Sequence, residues 1–279
     1  MKRLSFNYCV IICVYNPSTI FYDTINRLEE LNMDTFVVYS GNDINLPIKL
    51  THVIVKKEFN YGLGHNFNVG IQLAISKGFN LFILLTDDVR ILPDFSMDYI
   101  VDYFNKFCEG NDILHINFVS EKLITTKFAL DTGMIFSSQI VSRIKFREDF
   151  VMDQQDIYFC YEVGKIGGTI KSIDRKMLDV LPVGRMMSGK MHYLPSFRVY
   201  LLTRNTLRIF MESKEIHFLL NFIKFSGGYL LKGVIGHEKQ MFYAYISGII
   251  DAFKGKMGIS TSLQKLSGNR FCQLTPDLK

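Results

Sequence analysis

Two adjacent carboxylates end an apolar run in the first third of the chain. Residues 80–93 read NLFILLTDDVRILP, and Asp87 and Asp88 directly follow a segment that predicts a buried strand. Neighbouring like charges repel, and each is costly to remove from water unless a cation lies against it. Such a pair can hold a hard divalent cation, Mg²⁺ or Mn²⁺, that bridges a diphosphate. A solvated turn is the alternative, but the position after a buried strand favours a metal site.

A glycine-rich loop is a second candidate site. Residues 60–70 read NYGLGHNFNVG, in which Asn60, Gly62, Gly64 and Asn68 are candidate ligand-binding residues. Glycine allows a tight turn and a close approach of the backbone to a ligand, and the N-terminus of the following helix can meet an anion. The spacing differs from the dinucleotide-binding fingerprint, and an ordinary turn explains the same residues equally well.

Two acids further along the chain are candidates for a general base. On a helix predicted from about 153 to 165, Asp153 and Asp156 are three residues apart and face the same side. A carboxylate held within reach of a hydroxyl group can take its proton. The helix dipole also favours acids in a first turn, and without further context this second explanation is preferred.

The predicted elements bring the candidate groups to one edge of a sheet. Strands are predicted at 8–15, 35–39, 51–56 and 80–85, with helices after the first and third strands. This order predicts an α/β fold with a mostly parallel sheet flanked by helices. Ligands bind beyond the carboxyl ends of such strands. We therefore expect Asn16, the SGND turn with Asn42 and Asp43, the glycine-rich loop and the two aspartates to line one crevice.

The back third of the chain differs from the front. From residue 196 the pattern becomes helical, which predicts domains at 1–190 and 191–279. Residues 185–256 carry 11 Lys and Arg against 4 Asp and Glu, within a whole-chain net charge of +5. Lysines interleaved with apolar residues suit a membrane surface with anionic headgroups, and an ordinary helical annex is the equal alternative. No nucleic-acid recognition motif appears, so nucleic acid is not an expected partner.

The cysteine content and the lengths of the apolar segments indicate where in the cell the protein is expected. The chain has 279 residues, 48% of them hydrophobic, and five cysteines without disulfide or zinc spacing. We expect reduced thiols, no signal segment and no membrane-spanning helix, because no apolar window reaches the required length. The expected location is cytoplasmic, with peripheral contact at the inner face of the cell membrane.

The motifs together resemble the family 2 glycosyltransferases of GT-A fold, which is Rossmann-like. VIICVYNP, the stretch from NYGLGHNFNVG to LLTDDV, TGMIFS and FREDFVMDQQDIYFCYEVGKIGGTI occur in the family's order. FRVYLLTRNTLRIF and YISGIIDAFKGKMG are similar to later segments of its rhamnosyltransferase-like branch, which builds bacterial surface polysaccharides. The likeness covers about residues 8 to 258.

The resemblance implies an inverting transfer of rhamnose or another hexose from a dTDP- or UDP-sugar to a lipid-linked saccharide. Asp88 would then bind the metal, Asp87 the donor sugar or ribose, and Asp156 would be the base, with Asp153 as the alternative. Arg204 and Asn205 match an Arg-Asn pair whose cation would face a phosphate.

The sequence also departs from the family pattern. The usual Asp-Asn after the second strand is replaced by YSGND, and Glu162 stands where an arginine is common. Leu181 lies near the position of the expected metal-ligating histidine; either His192 takes over that role or the metal keeps more water ligands. These departures keep a second hypothesis open, a degenerate transferase that binds saccharide without catalysis. A nucleotidyltransferase is disfavoured, because no basic phosphate loop follows the first strand.

Overall fold

The structure is a computed structural model of the chain. It describes residues 6–15, 17, 19–40, 52–57, 59–116, 124–173, 175–180, 185–187, 191–235 and 239–271, and every structural statement below concerns these residues. Within them, no helix is both long enough and apolar enough to cross a membrane.

The strands of the described residues are short after the first four. In chain order they are β1 (Tyr8–Tyr15), β2 (Thr35–Ser40), β3 (His52–Lys57), β4 (Leu81–Thr86), β5 (Val89–Ile91), β6 (Ile113–His115), β7 (Ile124–Thr126), β8 (Met134–Ser137), β9 (Ile170–Ser172), β10 (Leu178–Val180), β11 (Arg185–Met187) and β12 (Met191–Tyr193).

The helices fall into an early set that alternates with strands and a late set that follows one another. They are α1 (Thr19–Glu30), α2 (Leu63–Ser76), α3 (Met97–Phe107), α4 (Ser138–Val141), α5 (Gln155–Lys165), α6 (Ser196–Ser213), α7 (Ile216–Asn221), α8 (Gly227–Ile235), α9 (Lys239–Phe253) and α10 (Thr261–Ser267). A 3-10 turn (Glu148–Phe150) precedes α5, and a π-helical turn (Phe222–Ser226) joins α7 to α8.

An eight-stranded sheet has the order β3-β2-β1-β4-β8-β6-β9-β7. β1 pairs in parallel with β2 and β4, β2 with β3, and β6 with β9, whereas β8 runs antiparallel to β4 and β6, and β7 to β9. The chain runs from β1 to β2 and β3 on one side and then crosses to β4 on the other. The strand order therefore reverses between β1 and β4, the point at which open α/β sheets bind ligands.

Burial on both faces of the sheet explains the apolar runs of the sequence. All six residues of β2 and five of the six residues of β4 are buried. Strands covered on both faces read as continuous apolar segments rather than as an alternating pattern. The predicted α/β class with a mostly parallel, helix-flanked sheet is confirmed.

The chain forms two compact units that interleave along the sequence. Unit 1 comprises residues 1–59, 65–146 and 156–181 and contains the eight-stranded sheet. Unit 2 comprises residues 60–64, 147–155 and 182–279. Its core is built from α6, α9 and α10, whose buried members include Tyr200, Met241, Ala244 and Leu263. Two short segments that precede residue 190, residues 60–64 and 147–155, thus belong to the helical unit. The predicted domains, 1–190 and 191–279, do not include this exchange of segments.

Candidate functional site

Asp87 lies at the reversal point of the sheet. β4 ends at Thr86, which is paired with Cys13 near the end of β1. Asp87 Oδ2 accepts a hydrogen bond of 2.9 Å from the backbone N–H of Tyr15, the last residue of β1. The carboxylate therefore ties together the ends of the two strands between which the sheet order reverses.

Asp88 is oriented by a short chain of hydroxyl groups. Thr86 Oγ1 donates to Asp88 Oδ1 at 2.6 Å. A hydroxyl has one proton, so Thr86 must accept its second hydrogen bond from Thr132 Oγ1. Asp88 Oδ2 has no hydrogen-bond partner among the described residues, and Asp88 is only partly buried. One carboxylate oxygen is thus held in place while the other remains open to a ligand.

The turn before β8 supports this arrangement. Gly133, at φ +84°, donates its N–H to the carbonyl oxygen of Leu84 at 2.8 Å, which places Thr132 beside the end of β4. His115 Nε2 lies 3.2 Å from the carbonyl oxygen of Thr132, and burial lowers the pKa of His115 to about 4. Thr132 and Gly133 begin the TGMIFS stretch, so the motif was visible in the sequence, but its role in fixing Asp88 was not.

The electrostatics of the site favour a cation. Desolvation raises the pKa of Asp87 to about 6, and the charge of Asp88 adds to the rise. Burial also raises the pKa of the Cys13 thiol well above its usual value, and the charges of Asp131 and Asp87 act in the same direction. Negative charge therefore accumulates at the ends of β1 and β4, and no basic side chain contributes to either of these two pKa shifts.

The carboxylates fit part of a divalent metal site. Carboxylate oxygens are the ligands that Mg²⁺ and Mn²⁺ prefer, and a metal bound by one or two carboxylates completes its shell with water and substrate phosphate. The described residues contain no group of three or more His, Cys, Asp and Glu side chains arranged to hold an ion. The chain thus offers a partial donor set, of the kind that needs a phosphate ligand to complete it.

A buried amide at the end of β2 was not predicted. Asn66, in the first turn of α2, is 4% exposed, and its Nδ2 donates to Ser40 Oγ at 3.4 Å. Its Oδ1 is buried and has no hydrogen-bond partner within the described part of the chain. Buried acceptors are almost always paired, so this oxygen marks a place where a ligand donor can enter. The residue is part of the NYGLGHNFNVG stretch, but nothing in the spacing separates it from its neighbours.

The loop between the 3-10 turn and α5 has an unusual backbone. Val151, Asp153 and Gln154 have φ values of 67°, 59° and 69°, which non-glycine residues rarely adopt. The helix begins at Gln155, two residues later than predicted. Asp153 therefore lies in the loop, and the expectation that it shares a helix face with Asp156 is wrong.

Asp153 and Asp156 have different surroundings. Arg198 binds the Asp153 carboxylate through two nitrogen atoms. Its Nε lies 3.2 Å from each carboxylate oxygen, and its Nη2 donates to Oδ1. Asp156 stands in the first turn of α5, where it is 8% exposed and its Oδ1 accepts from the N–H of Ile157 at 2.8 Å. Because Arg198 binds both oxygens of Asp153, an incoming hydroxyl group would have to displace the guanidinium there, and this favours Asp156 as the base.

The Arg204–Asn205 pair holds the same loop from α6. Both residues are fully buried, and Asn205 Nδ2 donates to the carbonyl oxygens of Phe150, Met152 and Asp153 at 2.8–3.0 Å. The five N–H groups of Arg204 have five acceptors, which are Asn205 Oδ1, Tyr200 Oη and the carbonyl oxygens of Gly258, Asp149 and Phe150. All N–H groups of this guanidinium are thus used to hold protein groups in place, including the backbone of the loop. These contacts do not support the prediction that Arg204 faces a phosphate.

The glycines of residues 60–64 meet the loop as well. A Cβ on Gly62, whose φ is +104°, would lie 2.3 Å from the carbonyl oxygen of Val151, and one on Gly64 would lie 2.8 Å from that of Arg147. The N–H of Leu63 donates to Val151 O at 2.7 Å, and Asn60 Oδ1 accepts from Gly62. Close backbone packing within unit 2 therefore requires these glycines, and their predicted donor contacts remain predictions.

Other predicted residues are placed as follows. The Asn68 amide bonds both backbone groups of Phe146, at 2.9 and 3.1 Å. His192 lies in β12, but its side chain is not described. Asn16, Asn42, Asp43 and Leu181 lie outside the described residues. Donor contacts at Asn16, Asn42, Asp43 and Asn68 and a metal contact at His192 stay predictions.

No protein-family model matches the chain, and no curated protein is similar to it in sequence. Among solved structures, A197 from STIV is similar with a TM-score of 0.41 and 10% identity, over 66% of this chain and 100% of that one. A nucleotidyl transferase from Methanothermobacter thermautotroptrophicus matches with 0.35 and 8%, over 60% and 86%. A putative glucose-1-phosphate thymidylyltransferase from Bacillus anthracis matches with 0.38 and 9%, over 62% and 89%.

Proposed function

We propose that this protein is a glycosyltransferase that moves a sugar from a nucleoside-diphosphate sugar to a saccharide acceptor. The observation that carries the proposal is the Asp87–Asp88 pair at the reversal point between β1 and β4. Asp87 is tied to Tyr15, Asp88 keeps one oxygen open, and no basic residue balances their charge in the contacts described. A bound cation with a diphosphate would supply that balance.

The donor would be held by groups at the ends of β2 and β4. Asp88 would hold Mg²⁺ or Mn²⁺, and His192 is a further candidate ligand. The metal, when bound, would offset the charge of the nucleoside diphosphate as it leaves. Asp87 would contact the donor sugar or ribose, and the unpaired Asn66 Oδ1 would accept a hydrogen bond from the nucleoside. Deoxyhexoses carried by dTDP are the first donors to test, followed by UDP-sugars.

The reaction would be a single displacement with inversion. Asp156 would take the proton from the acceptor hydroxyl, whose oxygen attacks the anomeric carbon. The bond between that carbon and the diphosphate oxygen breaks, and its electron pair leaves with the nucleoside diphosphate. We assign the base to Asp156 because Asp153 is engaged by Arg198. Asp153 would then hold the preceding loop in place.

The acceptor would be a lipid-linked saccharide in surface-polysaccharide synthesis. The basic, apolar character of residues 185–256 supports a contact with the inner face of the cell membrane, where such acceptors are found. The location would accordingly be cytoplasmic and peripheral to the membrane.

The proposal is tested by separating binding from turnover. Melting temperature is measured with dTDP or UDP, each with and without Mn²⁺, because a ligand that binds only the native state raises it. The expected result is a rise that requires both nucleotide and metal. Release of nucleoside diphosphate from the matching sugar nucleotide is then compared between wild type and Asp156→Asn, which is expected to be slower by about 10²–10⁴-fold with its nucleotide affinity retained.

Asp153→Asn is the matched variant. It removes the charge that binds Arg198 but leaves Asp156 intact, so turnover is expected to fall much less than in Asp156→Asn. Equal turnover of Asp156→Asn and wild type would move the base to Asp153. Nucleotide binding without any hydrolysis or transfer would favour the degenerate, saccharide-binding subunit, and no nucleotide binding at all would refute the donor site.

A further inference from the structure

The C-terminal helices expose an unusual share of large apolar side chains. Of the twelve that are exposed among the described residues, nine lie in α7, α8, α9 or the π-helical turn. Five of these form one stripe along α9, which we call the α9 stripe and which consists of Phe242, Tyr243, Ile246, Ile250 and Phe253. Their spacing of one, four, eight and eleven residues from Phe242 places them on one face of the helix.

The opposite face of α9 already has a partner. It carries Ala244, Ser247, Gly248 and Ala252, all buried, and α9 packs against α6 and α8. A Cβ on Gly248 would lie only 2.8 Å from the carbonyl oxygen of Tyr200 in α6. The buried face of α9 thus consists mostly of small residues, with Met241 as its one large apolar member, while the five apolar residues of the stripe face outward. The fold of unit 2 does not account for the stripe, and exposed apolar side chains that share one helix face in this way mark an interaction surface.

A second apolar segment lies beside the stripe. Ile216, Leu220 and Ile223 are exposed at intervals of four and three residues along α7 and the π-helical turn. The rings of Phe222 and Tyr245 stack with centroids 6.3 Å apart, which holds this segment against α9. The apolar surface therefore extends over two neighbouring helical segments.

Among the described residues, the charged side chains on the outward side of α9 are positive. Lys239 lies one turn before Phe242 on the same side of α9, and Lys254 follows Phe253, so a lysine stands at each end; both are exposed. The one acid within α9, Asp251, is buried and accepts from Tyr200 Oη at 2.9 Å. The exposed acid beside the second segment, Glu215, lies 3.7 Å from His217. The outward face of α9 consequently carries cations and no carboxylate.

We propose that the α9 stripe and the adjoining α7 segment bind the surface of an anionic lipid bilayer. The helices would lie in the plane of the membrane, with the apolar side chains among the acyl chains and the lysines at the headgroups. A second copy of the chain fits the surface less well, because a symmetric contact would bring like-charged lysines together. The inference deepens the proposed function by giving access to a lipid-linked acceptor, but bilayer binding itself requires neither donor nor acceptor.

The test is co-sedimentation of the full chain with vesicles of phosphatidylcholine alone or mixed with phosphatidylglycerol. Wild type is expected to bind the mixed vesicles at least tenfold more strongly. Ile246→Gln with Ile250→Gln is expected to weaken that binding about tenfold. Lys239→Gln and Lys254→Gln are each expected to weaken it about fivefold, with no change on phosphatidylcholine alone.

Ile75→Gln is the matched control, because Ile75 in α2 has the same exposed fraction as Ile246, 37%. It is expected to bind like wild type, and melting temperatures confirm that every variant is folded. Wild type left in the supernatant, or equal loss in Ile75→Gln and Ile246→Gln, would overturn the proposal. So would concentration-dependent self-association, measured by light scattering, that Ile246→Gln abolishes. Nucleotide-dependent melting shifts without vesicles report on the donor site separately, so the two proposals can fail independently.

Discussion

The Asp87–Asp88 pair of unit 1 is partly buried and the Arg204–Asn205 pair of unit 2 is fully buried, and the hydrogen-bonding and charge needs of the two pairs are met to different degrees. Every N–H of the Arg204 guanidinium has an acceptor, and the Asn205 amide contacts three carbonyl oxygens. Asp87 instead has a raised pKa and a like charge beside it. A fully bonded buried pair builds structure, whereas an unbalanced one is a cost that a ligand can offset.

The difference extends to the loop that the second pair holds. Residues in sparsely populated backbone regions cost on the order of 1–3 kcal/mol each, and Val151, Asp153 and Gln154 all have positive φ. Three hydrogen bonds from Asn205 and two from Arg204 converge on the backbone of residues 149–153. These contacts hold a strained segment directly before the first turn of α5, which contains Asp156.

The comparison predicts that the largest loss of stability follows from removing Arg204. Arg204→Met keeps the size of the side chain but removes all five hydrogen bonds of the buried guanidinium, three of which go to the carbonyl oxygens of Asp149, Phe150 and Gly258. The free energy of unfolding is expected to fall by about 3–5 kcal/mol, measured by urea denaturation.

Arg208→Met is the control, since Arg208 lies one turn further along α6, is partly exposed and pairs with Glu212. Its expected loss is below about 1 kcal/mol. If Arg204→Met instead retained stability and lost nucleotide affinity, Arg204 would be a phosphate ligand, as the resemblance implies.

Neutralising Asp87 is expected to raise the free energy of unfolding, whereas removing Arg204 lowers it. Asp87→Asn keeps an acceptor for the N–H of Tyr15 but removes a half-buried charge next to Asp88. Near neutral pH and without metal, the free energy of unfolding is expected to rise by about 1–2 kcal/mol. The melting shift with nucleotide and Mn²⁺ is expected to become smaller at the same time, because Asp88 still binds the metal but one negative charge and the donor contact of Asp87 are lost.

Asp112 is the matched control for this variant. It is also a buried carboxylate, but Lys171 Nζ lies 2.7 Å from its Oδ2, and Thr169 donates to Oδ1. Burial would raise its pKa, yet the hydrogen bonds from Lys171, Glu109 and Thr169 outweigh burial and lower it. Asp112→Asn is therefore expected to lose about 1–3 kcal/mol. A loss of stability in Asp87→Asn as well would show that the two carboxylates do not differ as described.

The Asp87–Asp88 pair and the α/β class could be predicted from the sequence because both depend on local patterns. The position of Asp87 and Asp88 follows from local pattern, because a buried apolar run that ends in acids predicts a strand end wherever the strand lies in the sheet. The order of the early strands and helices is likewise local, so the α/β class was predictable.

The loop and its supports depend on contacts between distant residues. VMDQQD contains neither glycine nor asparagine, so local propensity gives no sign of three positive φ values, and the segment was predicted as helix from Asp153. Arg204 is buried because carbonyl oxygens more than 50 residues away in sequence meet it. Gly62 is required because Val151 packs against it. No spacing rule contains this information.

The pH dependence of stability gives the smallest expected effect and the sharpest check on Asp87. Its carboxyl has a pKa of about 6 in the folded chain and near 3.8 when unfolded, so the folded state binds the proton more tightly. Its contribution to stability is then fully present below about pH 4 and is lost as the pH rises through about 6.

We therefore expect the difference in free energy of unfolding between Asp87→Asn and wild type, without metal, to be near zero at about pH 4. Between about pH 4 and 6 it is expected to grow by less than about 1 kcal/mol per pH unit and then to level off. Comparing the two proteins at each pH removes the contributions of all other titrating groups. A constant difference across this range would mean that Asp87 is already ionised at low pH, and the unbalanced charge would then belong to another carboxylate of the site.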